Sequence, residues 1–249
     1  MSKLAGRTAF VTGAAGGLGQ AIANALATEG ATVAMMDHNA GLLADAASAA
    51  PGGRGVPIVC DVADRLAVKA AVDGFAERHG GLDILVNNAV AFHYAPLGEM
   101  SETIVGHMID VGLKGVFWSL QAAIPHLIAR GGGSVINLSS IAVSVAIGNA
   151  AVYSAIKGAI DALTRQQAVE LGAYNIRVNA LAPGSVDTPG ARSVIDGPGW
   201  ESRRARSPLK RLASPADVAA AALFLVSDAA GSITGVTLKI DAGMTLAGP

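Results

Sequence analysis

The stretch VTGAAGGLGQAIANALA, residues 11–27, decides the fold, because a short apolar run passes through closely spaced glycines straight into a helical pattern. Gly13, Gly17 and Gly19 fall at this turn, and Gly16 is an alternative for the middle position. Glycine leaves backbone N–H groups and a helix N-terminus open to a phosphate, so the pattern predicts a dinucleotide-binding turn. The simpler alternative is a tight strand-to-helix turn that binds nothing.

Short apolar runs alternate with longer helical patterns along the rest of the chain. Most of these runs are apolar throughout, as expected of strands that are buried on both faces of a parallel sheet. The alternation predicts an α/β fold with a doubly wound sheet and right-handed crossovers. The predicted strands are 8–13, 31–37, 55–60, 82–87, 134–139, 175–180 and 236–241, and the predicted helices are 17–29, 40–49, 64–79, 101–129, 150–172 and 215–228.

Composition and charge limit the possible classes of function. The formal net charge is −1, so no overall field attracts nucleic acid or an anionic membrane. Cys60 is the single cysteine, which excludes an internal disulfide and fits a reducing compartment. The start, MSKLAGRTAFVTG, lacks the apolar core of a signal peptide, and the longest apolar run, 218–226, is too short to span a membrane. We therefore predict a cytoplasmic protein without nucleic-acid or membrane partners.

One long segment, 183–212, matches neither a strand nor a helix pattern. Four prolines and four glycines interrupt it, and a connection of this length within a compact domain is usually functional. We predict a substrate lid around 185–211. No linker, repeat or low-complexity tract divides the chain elsewhere, so a single domain over 1–249 is expected.

The second predicted strand ends in an acid, Asp37. A carboxylate at this place can accept hydrogen bonds from the adenosine ribose hydroxyls, and it repels a 2′-phosphate. No Arg or Lys adjoins Asp37, and Ala14 and Ala15 in the glycine turn are also uncharged. The pattern favours NAD over NADP as the cofactor. The alternative is that Asp37 is only a turn residue at a strand end.

The motif YSAIK places Tyr153 and Lys157 four residues apart, hence on one face of a helix. A free phenol is a poor base at neutral pH, but an ammonium group nearby favours the phenolate and lowers its pKa. Such a tyrosine can take a proton from an alcohol while a hydride leaves the same carbon. Ser140, just past the fifth predicted strand, could hydrogen-bond the reacting oxygen. Taken alone, Tyr and Lys at this spacing more often form a solvated helix face.

Five motifs occur in order along the chain: TGAAGGLG at 12–19, NNA at 87–89, Ser140, YSAIK at 153–157 and PGSVDT at 183–188. In this combination the sequence resembles the short-chain dehydrogenase/reductase family in its single-domain form, over essentially the whole chain. The resemblance implies a three-layer Rossmann fold with a mainly parallel seven-stranded sheet, and NAD(P) binding within 1–249. It also implies a homotetramer or dimer that uses the helices at 101–129 and 150–172.

The resemblance implies roles for the residues that match the family's motifs. Tyr153 would be the general acid/base, Lys157 would lower its pKa and bind the nicotinamide ribose, and Ser140 would position the substrate oxygen. The acid of CDV would lie near the adenine, and NNA would line the cofactor with backbone and side chain. The implied cofactor-binding residues are Gly13, Gly17, Leu18, Gly19, Asp37, Asp61, Val62, Asn87, Ala89, Tyr153, Lys157, Pro183, Gly184, Val186 and Thr188.

Two positions depart from the family's pattern. Val90 follows NNA where a glycine is usual, which would narrow the pocket by one side chain. In IDVGLKGVF, residues 109–117, Gly112 stands where the family usually has an asparagine that interrupts the helix and holds a water linked to the lysine. Three hypotheses follow: a tolerant position with water in place of the amide, a rewired proton relay, or lost catalysis with NAD binding retained. Gly115 fits the family's pattern and would allow close packing.

Three segments, 91–96, 140–152 and 185–207, are predicted to shape the substrate pocket. The arginines of the third suit a carboxylate or phosphate, so an anionic or polyhydroxylated substrate is one hypothesis and a solvated helix face is the other. No His, Cys or Asp cluster has metal-ligand spacing, so no metal is expected. The candidate substrate residues are His93, Tyr94, Ala142, Trp200, Arg203 and Arg204.

The leading functional prediction is an oxidoreductase that acts on a CH–OH group and interconverts a secondary alcohol and a ketone with NAD. The first alternative is an NADPH-dependent ketoreductase, for instance one that acts on acyl thioesters. The second alternative, which rests on Gly112, is a non-catalytic NAD-binding regulator.

Overall fold

A seven-stranded sheet forms the centre of the computed structural model, which describes residues 2–247. The strand order is β3-β2-β1-β4-β5-β6-β7, and all neighbouring pairs are parallel. The predicted doubly wound α/β fold is therefore confirmed. The strands are β1 (Thr8–Thr12), β2 (Thr32–Asp37), β3 (Gly55–Val59), β4 (Ile84–Asn87), β5 (Gly133–Leu138), β6 (Ile176–Pro183) and β7 (Thr237–Ile240).

Helices cover both faces of the sheet and bury its two apolar surfaces. In β1, Ala9 and Val11 pack with α1, α2 and α9, while Phe10 packs on the opposite face with α3, α5 and α6. Within residues 2–247, no helix combines the length and the hydropathy needed to cross a membrane. The helices are α1 (Gly17–Thr28), α2 (Ala40–Ser48), α3 (Arg65–His79), α4 (Glu102–Ile109), α5 (Gly115–Ala129), α6 (Ala151–Gly172), α7 (Pro189–Arg192), α8 (Gly197–Arg206) and α9 (Pro215–Val226).

The strand order reverses beside β1, which lies between β2 and β4. The crossovers on either side of this point run to opposite sides, so a crevice opens outside the carboxyl ends of the two central strands. The glycine turn follows β1 and the NNA motif follows β4. The fold therefore brings two motifs to one crevice although they are far apart in sequence.

The predicted helix 101–129 is divided by a π-helical turn, Asp110–Lys114, between α4 and α5. The Ser101 hydroxyl caps the start of α4 by accepting a hydrogen bond from the N–H of Ile104 at 3.3 Å. A π turn inserts one extra residue into the helix, and Gly112 lies buried at its centre. The helical distortion expected at this position is therefore present without an asparagine.

The segment 183–212 is not irregular throughout, because it contains α7 and α8. Its prolines were interpreted as helix breakers, but Pro189 and Pro198 lie in the first turn of each helix, where a missing N–H costs nothing. Thr188 Oγ1 caps α7 at 3.2 Å from the N–H of Ala191, and Asp196 Oδ1 caps α8 at 2.7 Å from the N–H of Gly199. The prediction of an unstructured loop was wrong for these residues.

Candidate active site

The glycine turn has the geometry of an open cradle at the start of α1. Gly13 and Gly17 have φ values of +65° and +56°, a region in which side chains are strained. A Cβ on Gly19 would lie 2.1 Å from the carbonyl oxygen of Gly13, so only glycine fits there. Gly16 is the extended N-cap residue, and a Cβ on it would meet nothing within 4 Å. Gly17, rather than Gly16, is thus the middle glycine of the turn.

Asp37 lies at the end of β2, directly against this turn. Its carboxylate accepts hydrogen bonds from the N–H of Ala15 at 3.1 Å and from the N–H of Asn39 at 3.0 Å. Among residues 2–247, the imidazole of His38 is the only basic side chain within 4.0 Å of this carboxylate. The turn and the acid are therefore adjacent, and no Lys or Arg of the described residues forms an ion pair with the acid.

The NNA motif holds the glycine turn in place through Asn88, and its two asparagines lie in different environments. Asn87 was expected to line the cofactor, yet its side chain is buried and donates to Asn137 Oδ1 on β5 at 2.8 Å. Asn88 lines the cavity instead, and its Nδ2 donates to the carbonyl oxygens of Thr12 and Gly13 at 3.0 and 2.9 Å. Side chains alternate along an extended chain, so the side chains of Asn87 and Asn88 face opposite sides, and only that of Asn88 faces the cavity.

Asp61 and Val62, which follow β3, occupy different environments. The Asp61 side chain is exposed and accepts a hydrogen bond from the N–H of Ala63 at 2.9 Å. Val62 is buried, and its Cγ2 lies 2.7 Å from the position that a Cβ on Gly115 would take. Gly115 therefore allows α5 to approach the chain next to the expected adenine position.

Ser140, Tyr153 and Lys157 line one cavity of about 650 Å³. Tyr153 and Lys157 lie one turn apart on α6, and Ser140 follows β5 with its Oγ accepting from the N–H of Ala142 at 3.2 Å. Lys157 is buried, its Nζ donates to the carbonyl oxygen of Leu138 at 2.5 Å, and it lies 5.7 Å from the ring centre of Tyr153. The cavity thus contains a phenol, a hydroxyl and an ammonium group.

Burial dominates the protonation of these groups. It raises the pKa of Tyr153, while the hydrogen bond with Ser140 lowers that pKa. Desolvation also lowers the pKa of Lys157 to about 8. Desolvation therefore holds the pKa of Tyr153 above its usual value here, and the role of Lys157 in lowering that pKa stays a prediction.

The PGSVDT segment closes the cavity beside the glycine turn. The side chain of Thr188 lies 3.6 Å from the position that a Cβ on Gly17 would take. Leu18 at the start of α1 lines the same cavity. The predicted cofactor residues of this segment that line it are Pro183, Gly184, Val186 and Thr188.

Aromatic rings form the wall next to Tyr153. The ring of Phe92 stacks on it with centres 5.7 Å apart, and the ring of Tyr94 lies 5.6 Å away at a tilt. Val90, which replaces a glycine of the family's pattern, also lines the cavity. Phe92 lies in the segment 91–96 that was predicted to shape the pocket, although it was not named among the candidate substrate residues.

The candidate substrate residues divide into two groups. Tyr94 and Arg203 line the cavity, whereas His93, Ala142, Trp200 and Arg204 do not. Arg206 lines the cavity as well; it belongs to the arginines of segment 185–207 that were predicted to suit an anion, but it was not among the candidate substrate residues. Its spacing from Arg203 is a signal only when the segment is known to be a helix, since residues three apart then share a face. No group of His, Cys, Asp or Glu side chains in the described part of the chain could hold a metal ion.

Comparison with known proteins assigns the family. A family model described as enoyl-(acyl carrier protein) reductase matches residues 13–245. A short-chain dehydrogenase/reductase of Aspergillus oryzae is 40% identical to the chain, over 98% of this chain and 96% of the relative. The chain belongs to the short-chain dehydrogenase/reductase family.

Solved structures of other short-chain dehydrogenases/reductases superimpose on this chain almost completely. Gluconate 5-dehydrogenase from Burkholderia cenocepacia, in complex with NADP and tartrate, has a TM-score of 0.93 and 36% identity, covering 99% of this chain and 98% of its own. A 7α-hydroxysteroid dehydrogenase in complex with NADH and 7-oxo glycochenodeoxycholic acid also has a TM-score of 0.93, at 33% identity, covering 97% of this chain and 95% of its own. Similar family members are thus dehydrogenases that bind nicotinamide cofactors.

Gly112 departs from the usual pattern of this short-chain dehydrogenase/reductase family, and the side chain of Ile156 lies beside it. A Cβ on Gly112 would lie 3.2 Å from Cγ2 and 3.7 Å from Cδ1 of Ile156. Ile156 is buried on α6, immediately before Lys157. The direction that a side chain at 112 would take is therefore covered by an isoleucine and is not open to water, which argues against a water in place of the amide.

Restoring an asparagine at position 112 is expected to overpack this contact. Gly112→Asn should lower the free energy of unfolding by about 1–3 kcal/mol, the usual cost of inserting atoms into a packed site. Adding Ile156→Ala should recover part of that loss, so the two changes together should cost less than the sum of the single changes. Urea unfolding of the wild type, both single variants and the double variant measures this coupling. Additive losses of stability would contradict a contact between positions 112 and 156. The turnover of Gly112→Asn should differ from that of the wild type by less than about tenfold.

Proposed function

We propose that this short-chain dehydrogenase/reductase oxidises a secondary alcohol to a ketone with NAD, and catalyses the reverse reaction. The observation that carries the proposal is the meeting of Ser140, Tyr153 and Lys157 in one cavity, beside a glycine turn. The turn fits a dinucleotide, since Gly16 leaves open space in front of the start of α1. Alcohols and ketones are also the substrates of the family members to which the chain is similar.

The chain's own residues supply proton transfer and orientation. The bound nicotinamide would accept or donate the hydride. Tyr153 would remove the hydroxyl proton of the alcohol in oxidation and return it to the oxygen in reduction. Ser140 would hold the reacting oxygen by a hydrogen bond. Because burial raises the pKa of Tyr153, the phenol suits ketone reduction at neutral pH, and oxidation is expected to speed up as the pH rises.

The preference for NAD rests on Asp37. The structural neighbours bind NADP and NADH, so they leave the choice of cofactor open. The carboxylate of Asp37 would accept hydrogen bonds from the adenosine ribose and repel a 2′-phosphate, and within residues 2–247 no Lys or Arg lies within 4.0 Å of that carboxylate.

Replacing Asp37 by serine is therefore expected to shift the cofactor preference. The ratio of kcat/KM with NADP to kcat/KM with NAD should rise at least about tenfold, or about 1.4 kcal/mol, because a like-charge contact is removed. Both values can fall, since Asp37 also holds the N–H of Ala15, so the ratio is the readout. Asp45→Ser, which removes an exposed carboxylate on α2, is the control. An unchanged ratio would refute the role of Asp37.

The experiment that tests the reaction itself is a panel of secondary alcohols, followed by the absorbance of reduced nicotinamide, with NAD and NADP in parallel. Turnover with NAD supports the proposal. Turnover restricted to NADPH and acyl thioesters would favour a ketoreductase. Cofactor binding without turnover of any alcohol or ketone would favour a non-catalytic regulator.

A further inference from the structure

Two arginines of α8 reach the cavity without an acidic partner. Arg203 and Arg206 both line it, and no carboxylate of residues 2–247 lies within 4.0 Å of either guanidinium group. The other arginines of this region are paired: Arg192 with Asp187 at 2.6 Å, and Arg204 with Glu201 at 2.6 Å. The cavity therefore receives the two side chains whose charge is not neutralised.

Arg203 is oriented by the fold and lies on the substrate side of the cavity. Its Nη1 donates to the carbonyl oxygen of Gly199 at 3.0 Å. The other N–H groups of the guanidinium remain available to bind a ligand. Arg203 and Tyr94 line the same cavity; burial and, less strongly, Tyr153 raise the pKa of Tyr94, and the charge of Arg203 lowers it. Since the Tyr94 ring lies 5.6 Å from that of Tyr153, Arg203 belongs to the end of the cavity where a substrate would extend from the reacting phenol.

Many of the other residues that line the cavity are apolar. Phe92 stacks on Tyr153, and aliphatic side chains from the segment before α6 and from the α7–α8 region contribute to the lining. A polyhydroxylated substrate would leave its hydroxyls unpaired against such a wall, at a cost that an apolar substrate does not incur. The aliphatic lining residues are Val145, Ile147, Val194, Ile195 and Met244.

We propose that the substrate is an apolar hydroxy acid, or the corresponding oxo acid, whose carboxylate binds Arg203 and Arg206 while its carbinol carbon lies at Tyr153 and Ser140. Guanidinium groups bind carboxylates through paired hydrogen bonds that are stronger than neutral ones. The apolar wall then accepts the hydrocarbon between the two ends. This assignment rests on the proposed function for the position of the carbinol, but the carboxylate site itself does not require turnover.

The test measures binding of saturated carboxylic acids of increasing chain length, which carry no hydroxyl, to the protein saturated with NAD. Each acid is compared with its methyl ester by calorimetry. We expect the acid to bind the wild type, and Arg203→Gln to weaken that binding roughly tenfold to hundredfold, while the ester is unaffected. Arg204→Gln is the matched control, since this neighbour on the same helix is paired with Glu201 and does not line the cavity.

Three results would overturn the proposal. Acids and esters that bind equally would exclude an anion site, and so would the absence of binding by every acid. Loss of NADH affinity in Arg203→Gln would assign the arginine to the cofactor's phosphates. Glutamine at position 203 retains an N–H donor for the carbonyl oxygen of Gly199, and thermal unfolding checks that the variant folds. Arg206→Gln provides a second variant of the same site. A failure of the proposed oxidation can be told apart from a failure of this proposal. In that case the alcohol panel would show no turnover, while the acids would still bind.

Discussion

Tyr153→Phe is expected to lower kcat for alcohol oxidation by about 10²- to 10⁴-fold, the usual contribution of a general acid/base. The ring remains in place, because Phe keeps the packing against Phe92 and Tyr94. NADH affinity should therefore change by less than about threefold, since only one hydroxyl is removed. Steady-state kinetics and fluorescence titration with NADH separate these two effects. In the wild type, oxidation should increase with pH as the phenol ionises, and the variant should lose this dependence.

Tyr94→Phe is the matched control for this experiment. It removes the other tyrosine hydroxyl that lines the cavity, but Ser140 lowers the pKa of Tyr153 and not that of Tyr94. We expect the fall in kcat to be less than about tenfold. If Tyr94→Phe lost more activity than Tyr153→Phe, the acid/base would have to be reassigned.

The second large effect concerns stability and follows from the burial of Lys157. Its pKa is lowered to about 8 in the folded protein, from 10.5 in the unfolded chain. Between these values the unfolded chain holds a proton that the folded protein has lost, so the stability of the wild type rises with pH across this range. Below about pH 8 both states are protonated, and the cost of the buried charge is present in full.

Lys157→Met isolates this cost because methionine does not titrate. The free energy of unfolding of the wild type should gain about 3 kcal/mol relative to the variant between about pH 7 and about pH 11. Urea unfolding at a series of pH values measures the gap, and Lys69→Met on α3 gives the background from an exposed lysine. Loss of the hydrogen bond to the Leu138 carbonyl adds an offset that does not vary with pH. If the difference in free energy of unfolding between the wild type and Lys157→Met stays constant across this pH range, the pKa of Lys157 is not lowered.

The architecture could be predicted from the sequence because each level of pattern pointed the same way. Buried apolar runs, helical periods and the glycine turn all specified a doubly wound parallel sheet, and the predicted strand starts differ from the observed ones by no more than two residues. The region of α7 and α8 was missed because proline signals both the end of a helix and its first turn. Only the caps Thr188 and Asp196, considered together with the prolines, resolve that ambiguity.

The details of the site were less predictable, since they depend on which way side chains face across distant elements. The family's pattern identified NNA, but the roles of Asn87 and Asn88 depend on the pairing of β4 with β5, where Asn87 is opposite Asn137. The pKa of Tyr153 depends on desolvation, which no spacing of residues reports. The contact of Gly112 with Ile156 joins two helices and leaves no local signal.

That last contact couples substitutions at the two positions. Because the space next to position 112 is filled from α6, a larger residue at 112 and a smaller residue at 156 are interchangeable only as a pair. Either change by itself gives an overpacked or a hollow intermediate. The two positions therefore share one volume, and a substitution at either position costs less once the other has changed.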